Sequence, residues 1–266
     1  MVKDKKMKQQ IIFISDGSSK VVGGFATILA GWLMHENTLD NEIILLTPNS
    51  SESKYHKLLI EAFPEFSITL IRLNYELSKD TYYIKLILLD YISKNNFDLD
   101  TQLIYIDYDH IVLSRTNFPQ TNNFNIIVSS EIKNDTLKNK QVESLHYNTS
   151  LIISNIETLS KISKLWQESY KKLKFIVSTR FLEEISFSKA CTLNNVLVSP
   201  SSIELQSGWC NKNQNSSLFH YGGLTEEATL MKKYLVDNFN LVLSGIELRE
   251  RSFKMAKKYL KILNKV

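Results

Sequence analysis

The chain has 266 residues, 43% hydrophobic and 23% charged, with 4 Pro and 8 Gly. That composition fits one large globular domain with a substantial core and excludes a mainly disordered chain. Net charge is only +4, and the basic residues do not interleave with aromatics on the strands, which argues against nucleic-acid binding.

No apolar run reaches the roughly 18 residues of a membrane span. After the charged start Met1–Lys8, the apolar run from Ile11 is cut by Asp16, too soon for a signal-peptide core. Cys191 and Cys210 stand apart without metal-type spacing, so a reduced cytoplasmic protein with free thiols is expected.

Ile11–Ile14 reads as a first strand, ending at Ser15-Asp16-Gly17. Val22–His35 is an apolar helix that belongs against a sheet. Glu42–Thr47 is a second strand. Ser51–Phe63 is a helix with Ser51 as cap and Pro64 as stop. Ser67–Leu73 is a third strand, and Asp80–Ser93 a helix capped by Asp80. Leu103–Ile106, apolar throughout, is a buried fourth strand. This alternation predicts an α/β fold with a parallel sheet covered by helices on both faces. The first turn carries neither G-x-G-x-x-G nor G-x-x-x-x-G-K-[ST], so neither a dinucleotide cofactor nor ATP hydrolysis is expected. Gly23-Gly24 reads as close helix packing.

The fourth strand runs directly into Asp107-Tyr108-Asp109, and Ile111-Val112-Leu113 then returns to apolar chain. Two carboxylates one residue apart at a strand's carboxyl end can converge on a divalent cation, in the crevice where open α/β sheets hold ligands. Aspartates at strand ends also serve simply as turn residues. A phosphatase of the Asp-x-Asp-x-Thr type is disfavoured: its acids follow a first strand, and Ile111 stands where it needs Thr or Ser.

In the second half, Asn125–Ser129 is a short strand and Glu131–Ser144 a polar surface excursion, a candidate acceptor loop or lid. Tyr147-Asn148-Thr149-Ser150 opens a strand that runs to Ser154. Ile156–Leu173 and Phe181–Cys191 are helices. Asn195–Ser199 is a strand, and Ser217–Gly223 a strand running into a glycine turn. Thr225–Phe239 and Ile246–Leu263 are helices. Both halves are expected to share one sheet, giving a domain over 1–240 and a basic amphipathic helix over 241–266.

The order of these features resembles retaining glycosyltransferases of the GT-A (nucleotide-diphospho-sugar transferase) fold, closest to family 8, the glycogenin and lipopolysaccharide galactosyltransferase group. The resemblance covers Ile11 to about Gly223 and rests on order and spacing rather than on any single motif. It implies a Rossmann-like mixed sheet flanked by helices. It further implies transfer of a hexose from a nucleotide-diphosphate sugar, UDP-linked above all, to a glycan or lipid-linked acceptor with retention, in surface polysaccharide or lipopolysaccharide synthesis. A non-catalytic nucleotide-sugar or glycan binding protein that kept the fold is the alternative.

Carried onto this sequence, the resemblance implies that Asp16 meets the base, although it is equally a turn residue. Tyr83-Ile84-Lys85-Leu86 matches Tyr-x-Arg-Leu, with Lys85 keeping the charge but losing the planar fork that grips the donor. Asp107, Asp109 and His220 would hold Mn²⁺ or Mg²⁺, with Tyr108 beside the donor and Gly222 and Gly223 of His-Tyr-Gly-Gly permitting close approach to its diphosphate. Asn148 would lie near the sugar. Glu183 and Glu184 fall where the family has its reaction-centre Asp-Gln pair. Side chains adjacent on a helix point about 100° apart, so one of the two is expected to face the site and the other solvent. Glu226 stands where the family carries a lysine, which leaves diphosphate neutralisation to Lys232 or Lys233.

Phe253, Ala256, Leu260 and Leu263 recur at helical spacing, widened by Met255, Tyr259 and Ile262, while Arg251, Lys254, Lys257, Lys258, Lys261 and Lys265 supply the other side. That pattern fits an anionic membrane surface, and hence a peripheral protein at the membrane's inner face; it equally fits a helix docked on the domain with a solvated basic face.

Overall fold

A computed structural model of the chain describes residues 8–36, 42–48, 54–73, 85–86, 88, 91–92, 101–121, 125–132, 136–137, 140–141, 146–174, 179–208, 213, 215–222 and 225–264. In chain order the strands are β1 (Lys8–Ile14), β2 (Glu42–Pro48), β3 (Ile68–Leu73), β4 (Thr101–Ile106), β5 (His110–Val112), β6 (Asn125–Ile132), β7 (Thr136–Leu137), β8 (Lys140–Gln141), β9 (His146–Asn155), β10 (Leu197–Pro200), β11 (Gln206–Gly208) and β12 (Leu218–His220). The helices are α1 (Ser19–Met34), α2 (Lys54–Ala62), α3 (Ile156–Leu173), α4 (Thr179–Leu193), α5 (Glu226–Phe239) and α6 (Gly245–Leu263).

Seven strands form one mixed sheet in the order β10-β6-β9-β4-β1-β2-β3. β9 runs antiparallel to both β4 and β6, and the remaining neighbours are parallel. Both halves of the chain thus share the sheet, as the sequence predicts. A single antiparallel strand joins them.

Side chains alternate across the strands, so the continuous apolar runs feed two cores at once. Ile11, Phe13, Ile43, Leu45, Ile104 and Ile106 pack under α1, α2, α5 and α6. Ile12, Ile14, Ile44, Leu46, Leu103 and Tyr105 face the other way, against α3, α4 and Leu86, Leu88, Tyr91 and Ile92. The rest of the helix predicted over 80–93 lies outside the described residues, as do Tyr83, Gly223 and Cys210.

Helix α1 is buried all round because other chain crosses it closely. Ser18 caps it by accepting from the Val21 amide. A Cβ on Gly23 would lie 2.4 Å from the Phe239 ring, and one on Gly24 2.5 Å from the Tyr108 carbonyl oxygen. Gly23-Gly24 is therefore packing chemistry, as its sequence suggests, and it brings the Asp-Tyr-Asp loop down onto α1.

Two features differ from the sequence reading, and a third bears on an alternative it left open. The polar segment over 131–144 is not simply a loop. The β6–β9 ladder extends through Glu131↔Tyr147 and Ile132↔His146, and β7 and β8 pair with each other. A second sheet, β11-β12-β5, pairs His110 with His220 across antiparallel strands. Finally, α6 seats Leu248, Met255, Tyr259 and Leu263 in the same core as α1 and α2, and the Tyr259 hydroxyl donates to the Met231 carbonyl at 2.8 Å. Its apolar face is covered by the domain.

Candidate functional site

The site forms where β4 leaves the sheet. The Asp107 amide still donates to the Ser150 carbonyl at 2.8 Å, so the first acid is anchored to β9 as the chain turns outward. Tyr105, two residues back on the same strand face, donates its hydroxyl to Asp107 Oδ1. Lys85 Nζ sits 3.0 Å from Asp107 Oδ2 and 3.4 Å from Glu183 Oε2, and it also donates to the Thr149 hydroxyl and carbonyl at 3.3 Å. Thr149 Oγ1 lies 2.8 Å from both Glu183 oxygens. One ammonium is thus shared by two carboxylates, Glu183 buried and Asp107 partly so.

The electrostatics follow from that sharing. Burial would lower the Lys85 pKa, but Asp107, Glu183 and Glu184 outweigh it and raise it. Burial raises Asp107, and Lys85 only partly offsets that. Burial likewise raises Glu183, to about 7, with Lys85 opposing and Glu184 adding to the rise.

Glu184 does not face solvent. Its Oε1 accepts from Asn148 Nδ2 at 3.1 Å, while Asn148 Oδ1 accepts from the Ser150 amide at 3.0 Å. Consecutive carboxylates on α4 therefore meet consecutive residues of β9: Glu183 is buried beneath Lys85, and Glu184 is half-buried beside Asn148. The expectation that one of the pair is solvated is corrected. The 100° between them is spanned by the strand's own alternation, which sends Asn148 and Thr149 to different sides.

Asp109 belongs to a second cluster. The Tyr221 amide donates to its carbonyl at 3.0 Å, its Oδ1 lies 3.3 Å from His220 Nε2, and Lys232 Nζ is 3.8 Å from Oδ2. Burial would raise the Asp109 carboxyl, but His220, His110 and Lys232 outweigh it and hold it well below the usual carboxylate range. A Cβ on Gly222 would lie 2.2 Å from His220 Nε2 and 2.7 Å from Asp109 Oδ2, so the glycine leaves open the space on which both atoms border.

His110, Gln206 and Thr149 are site residues that no sequence motif marks. His110 is fully buried, its Nδ1 donates to the Asp107 carbonyl at 2.9 Å, and its Nε2 accepts from Gln206 Nε2 at 2.9 Å. Its ring stacks on His220 with centroids 5.0 Å apart. Burial and then His220 push its pKa down to about 3, consistent with a neutral ring that donates on one side and accepts on the other. Asp16 acts locally as a turn residue, accepting from the Ser18 amide at 2.9 Å, while Ser15 at the end of β1 pairs with His56 at 2.9 Å.

The expected metal set is only partly assembled. Among the described residues no three of His, Cys, Asp and Glu converge as ligands. Asp109 and His220 fit a divalent cation: they are adjacent, border the space beside Gly222, and Asp109 Oδ1 is buried without a well-formed hydrogen bond. Asp107, the expected third, is turned to Lys85 and Tyr105 instead.

No protein-family model matches the sequence, and no curated protein matches it. Solved structures do. The galactosyltransferase LgtC in complex with donor and acceptor sugar analogs superposes with a TM-score of 0.58 at 11% identity, over 92% of this chain and 100% of that one. An active-site mutant of LgtC gives 0.57 at 12%, over 89% and 98%. The apo WbbM bifunctional glycosyltransferase gives 0.51 at 12%, over 94% of this chain and 52% of that chain. At such identities the likeness is one of architecture: a mixed seven-stranded sheet flanked by helices, the GT-A fold of these glycosyltransferases.

Proposed function

We propose that the chain is a glycosyltransferase that moves a hexose from a nucleotide-diphosphate sugar, UDP-linked, to a glycan or lipid-linked acceptor with retention, in surface polysaccharide or lipopolysaccharide synthesis. The observation that carries this reading is the convergence at one crevice. Lys85, the Asp107–Asp109 loop, Asn148 and Thr149, Glu183 and Glu184, and His220 come from five separate stretches of chain and meet at the carboxyl end of β4. Structures of the same fold include LgtC holding donor and acceptor sugar analogs.

In this reading Asp109 and His220 would hold Mn²⁺ or Mg²⁺, which when bound supplies positive charge to a leaving diphosphate. Lys85 keeps the Asp107–Glu183 pair from repelling an anionic donor. Glu184, half-buried and oriented by Asn148, is the carboxylate placed to accept a hydrogen bond from a sugar hydroxyl. Glu183, sealed beneath Lys85 and Thr149, holds the charge balance. Gly222 gives the backbone close approach to a phosphate. The β6–β9 extension and the β7–β8 pair are the proposed acceptor-side elements.

The protein is further proposed to work in the cytoplasm against the membrane's inner face. Lys254, Lys257, Lys258 and Lys261 are exposed along α6, Lys258 lying 3.2 Å over the Tyr234 ring centroid. Leu241, Leu243 and Ile246 are more than 70% exposed just before and at its start. Because the apolar face of α6 is docked, such attachment would be electrostatic and salt-sensitive rather than inserted. Among the described residues no helix is long and apolar enough to cross a membrane.

Incubation with UDP-, GDP- and CMP-sugars and Mn²⁺, reading nucleotide release, tests the function and names the donor. Release from a UDP-hexose supports it. Binding of a nucleotide sugar without turnover would identify instead a protein that kept the fold and lost the reaction.

A further inference from the structure

Glu226 leaves the glycine turn without the cation that a diphosphate needs. It serves its own helix instead: it lies in the first turn of α5 behind the cap Thr225, with Glu227, where acids suit the helix dipole. Lys233 is exposed. Lys232, half-buried, turns back to within 3.8 Å of Asp109 Oδ2.

A second lysine approaches from the opposite helix. Lys20 stands in the first turn of α1, a turn with no acidic residue. A cation there runs against the helix dipole, so its position is unfavourable unless an anion is near. Its Nζ lies 5.2 Å over the Tyr108 ring, within the loop between the two acids. Burial first and Lys232 second depress the Lys20 ammonium, against the pull of Asp109 and Asp16. Two partly buried lysines thus reach the Asp-Tyr-Asp loop, Lys232 at the Asp109 carboxylate that His220 also contacts and Lys20 at the neighbouring Tyr108 ring.

We infer that Lys20 and Lys232 form a two-helix clamp for the diphosphate of a nucleoside diphosphate, in place of a lysine in the glycine turn. The inference rests on the nucleotide-sugar reading above and assigns the residues that hold the anion. Tyr108 and Gly24 set the clamp's spacing: the glycine lets the Tyr108 backbone rest on α1, which holds the loop, and Asp109 with it, against the helix that carries Lys20. The α1 amino terminus adds positive potential on the same side.

The test is calorimetric binding in EDTA of UDP, UMP, uridine and inorganic pyrophosphate to the full chain, its Lys20→Met and Lys232→Met variants and the double variant. Each single change should weaken UDP about tenfold and the double change about a hundredfold, the scale of charge-assisted contacts. UMP should lose less, and uridine nothing. Pyrophosphate should follow UDP if the clamp reads the diphosphate itself. Thermal unfolding supplies a second readout. Lys20→Met should leave the ligand-free melting temperature unchanged or raise it, since it removes a partly buried cation from a helix amino terminus, whereas a structural lysine would lower it. Unchanged UDP affinity in either single variant, with wild-type protein binding UDP, overturns the clamp and leaves the transferase reading intact. Binding of UDP with Mn²⁺ but not in EDTA overturns the clamp alone; failure of wild-type protein to bind UDP, GDP or CDP in either condition overturns both.

Discussion

Lys85 Nζ lies 3.0 Å from Asp107 Oδ2, so the first acid of the Asp-Tyr-Asp loop is neutralised by the chain itself. The same ammonium reaches Glu183, so it compensates one buried carboxylate and one partly buried one. Removing it leaves the buried Glu183 and the partly buried Asp107 without their shared counter-charge. Lys85→Ala should therefore cost about 3–5 kcal/mol of stability, the usual penalty for breaking a buried pair from one side. Adding Glu183→Gln should restore a large part of that. Urea unfolding of the single and double variants measures it, and a Lys85→Ala protein as stable as wild type would place the lysine in solvent.

Glu183 makes stability depend on pH. Its carboxyl is raised from an ordinary 4.5 to about 7, by burial before any other cause, with Lys85 opposing. A group raised in the folded state favours folding most when protonated. Its contribution is fully present below about pH 4.5 and is lost as pH climbs through about 7. The melting temperature should accordingly fall between pH 5 and 8, and fall less in Glu183→Gln. Parallel profiles for the two proteins would show that Glu183 is already ionised across the range.

Gly222 and His220 bear on cation binding. A methyl at Gly222 would collide with His220 Nε2 and Asp109 Oδ2. Gly222→Ala should weaken Mn²⁺ binding, followed by electron paramagnetic resonance, at least tenfold, as should His220→Ala. Neither should lower ligand-free stability by much more than ~1 kcal/mol. Undiminished Mn²⁺ affinity in both variants would remove this pair from the cation site.

The C-terminal helix separates packing from charge. Tyr259 is fully buried and donates to the Met231 carbonyl, so Tyr259→Ala should cost ~3–5 kcal/mol. Lys254→Glu, Lys257→Glu and Lys261→Glu together touch only the exposed face. That variant should keep its melting temperature and lose low-salt sedimentation with vesicles rich in anionic lipid. Wild-type protein that ignores such vesicles would reduce the helix to a structural element.

Much of this molecule could be read from the chain. The strands of the first half announce themselves because each is buried on both faces and so is continuously apolar. Asp107, Asp109, Asn148 and His220, picked out by short motifs, come together near the carboxyl end of β4, with Asp107 turned to Lys85. What escaped detection was set by tertiary closure. β5, β11 and β12 are three residues each, too short to carry a period, yet their pairing stacks His110 on His220. Lys20 is one polar residue at the start of an apolar helix, and the choice between Lys232 and Lys233 was open; only the fold brings Lys232 to Asp109 and Lys20 to Tyr108. The solvated partner expected for Glu183 or Glu184 was an error of treating α4 alone, without the strand that meets both.

The most direct test of the whole account is nucleotide release from the responding sugar donor by wild-type protein and by Asp109→Asn. The substitution keeps the shape of a residue that His220 and Lys232 surround, and removes only its charge. The account predicts a loss of at least about a hundredfold, some 2.7 kcal/mol of transition-state stabilisation, in a protein that still unfolds cooperatively, at a lower melting temperature because a favourably paired charge is gone. A folded Asp109→Asn protein releasing nucleotide at the wild-type rate would contradict the assignment of this crevice as the transferase site.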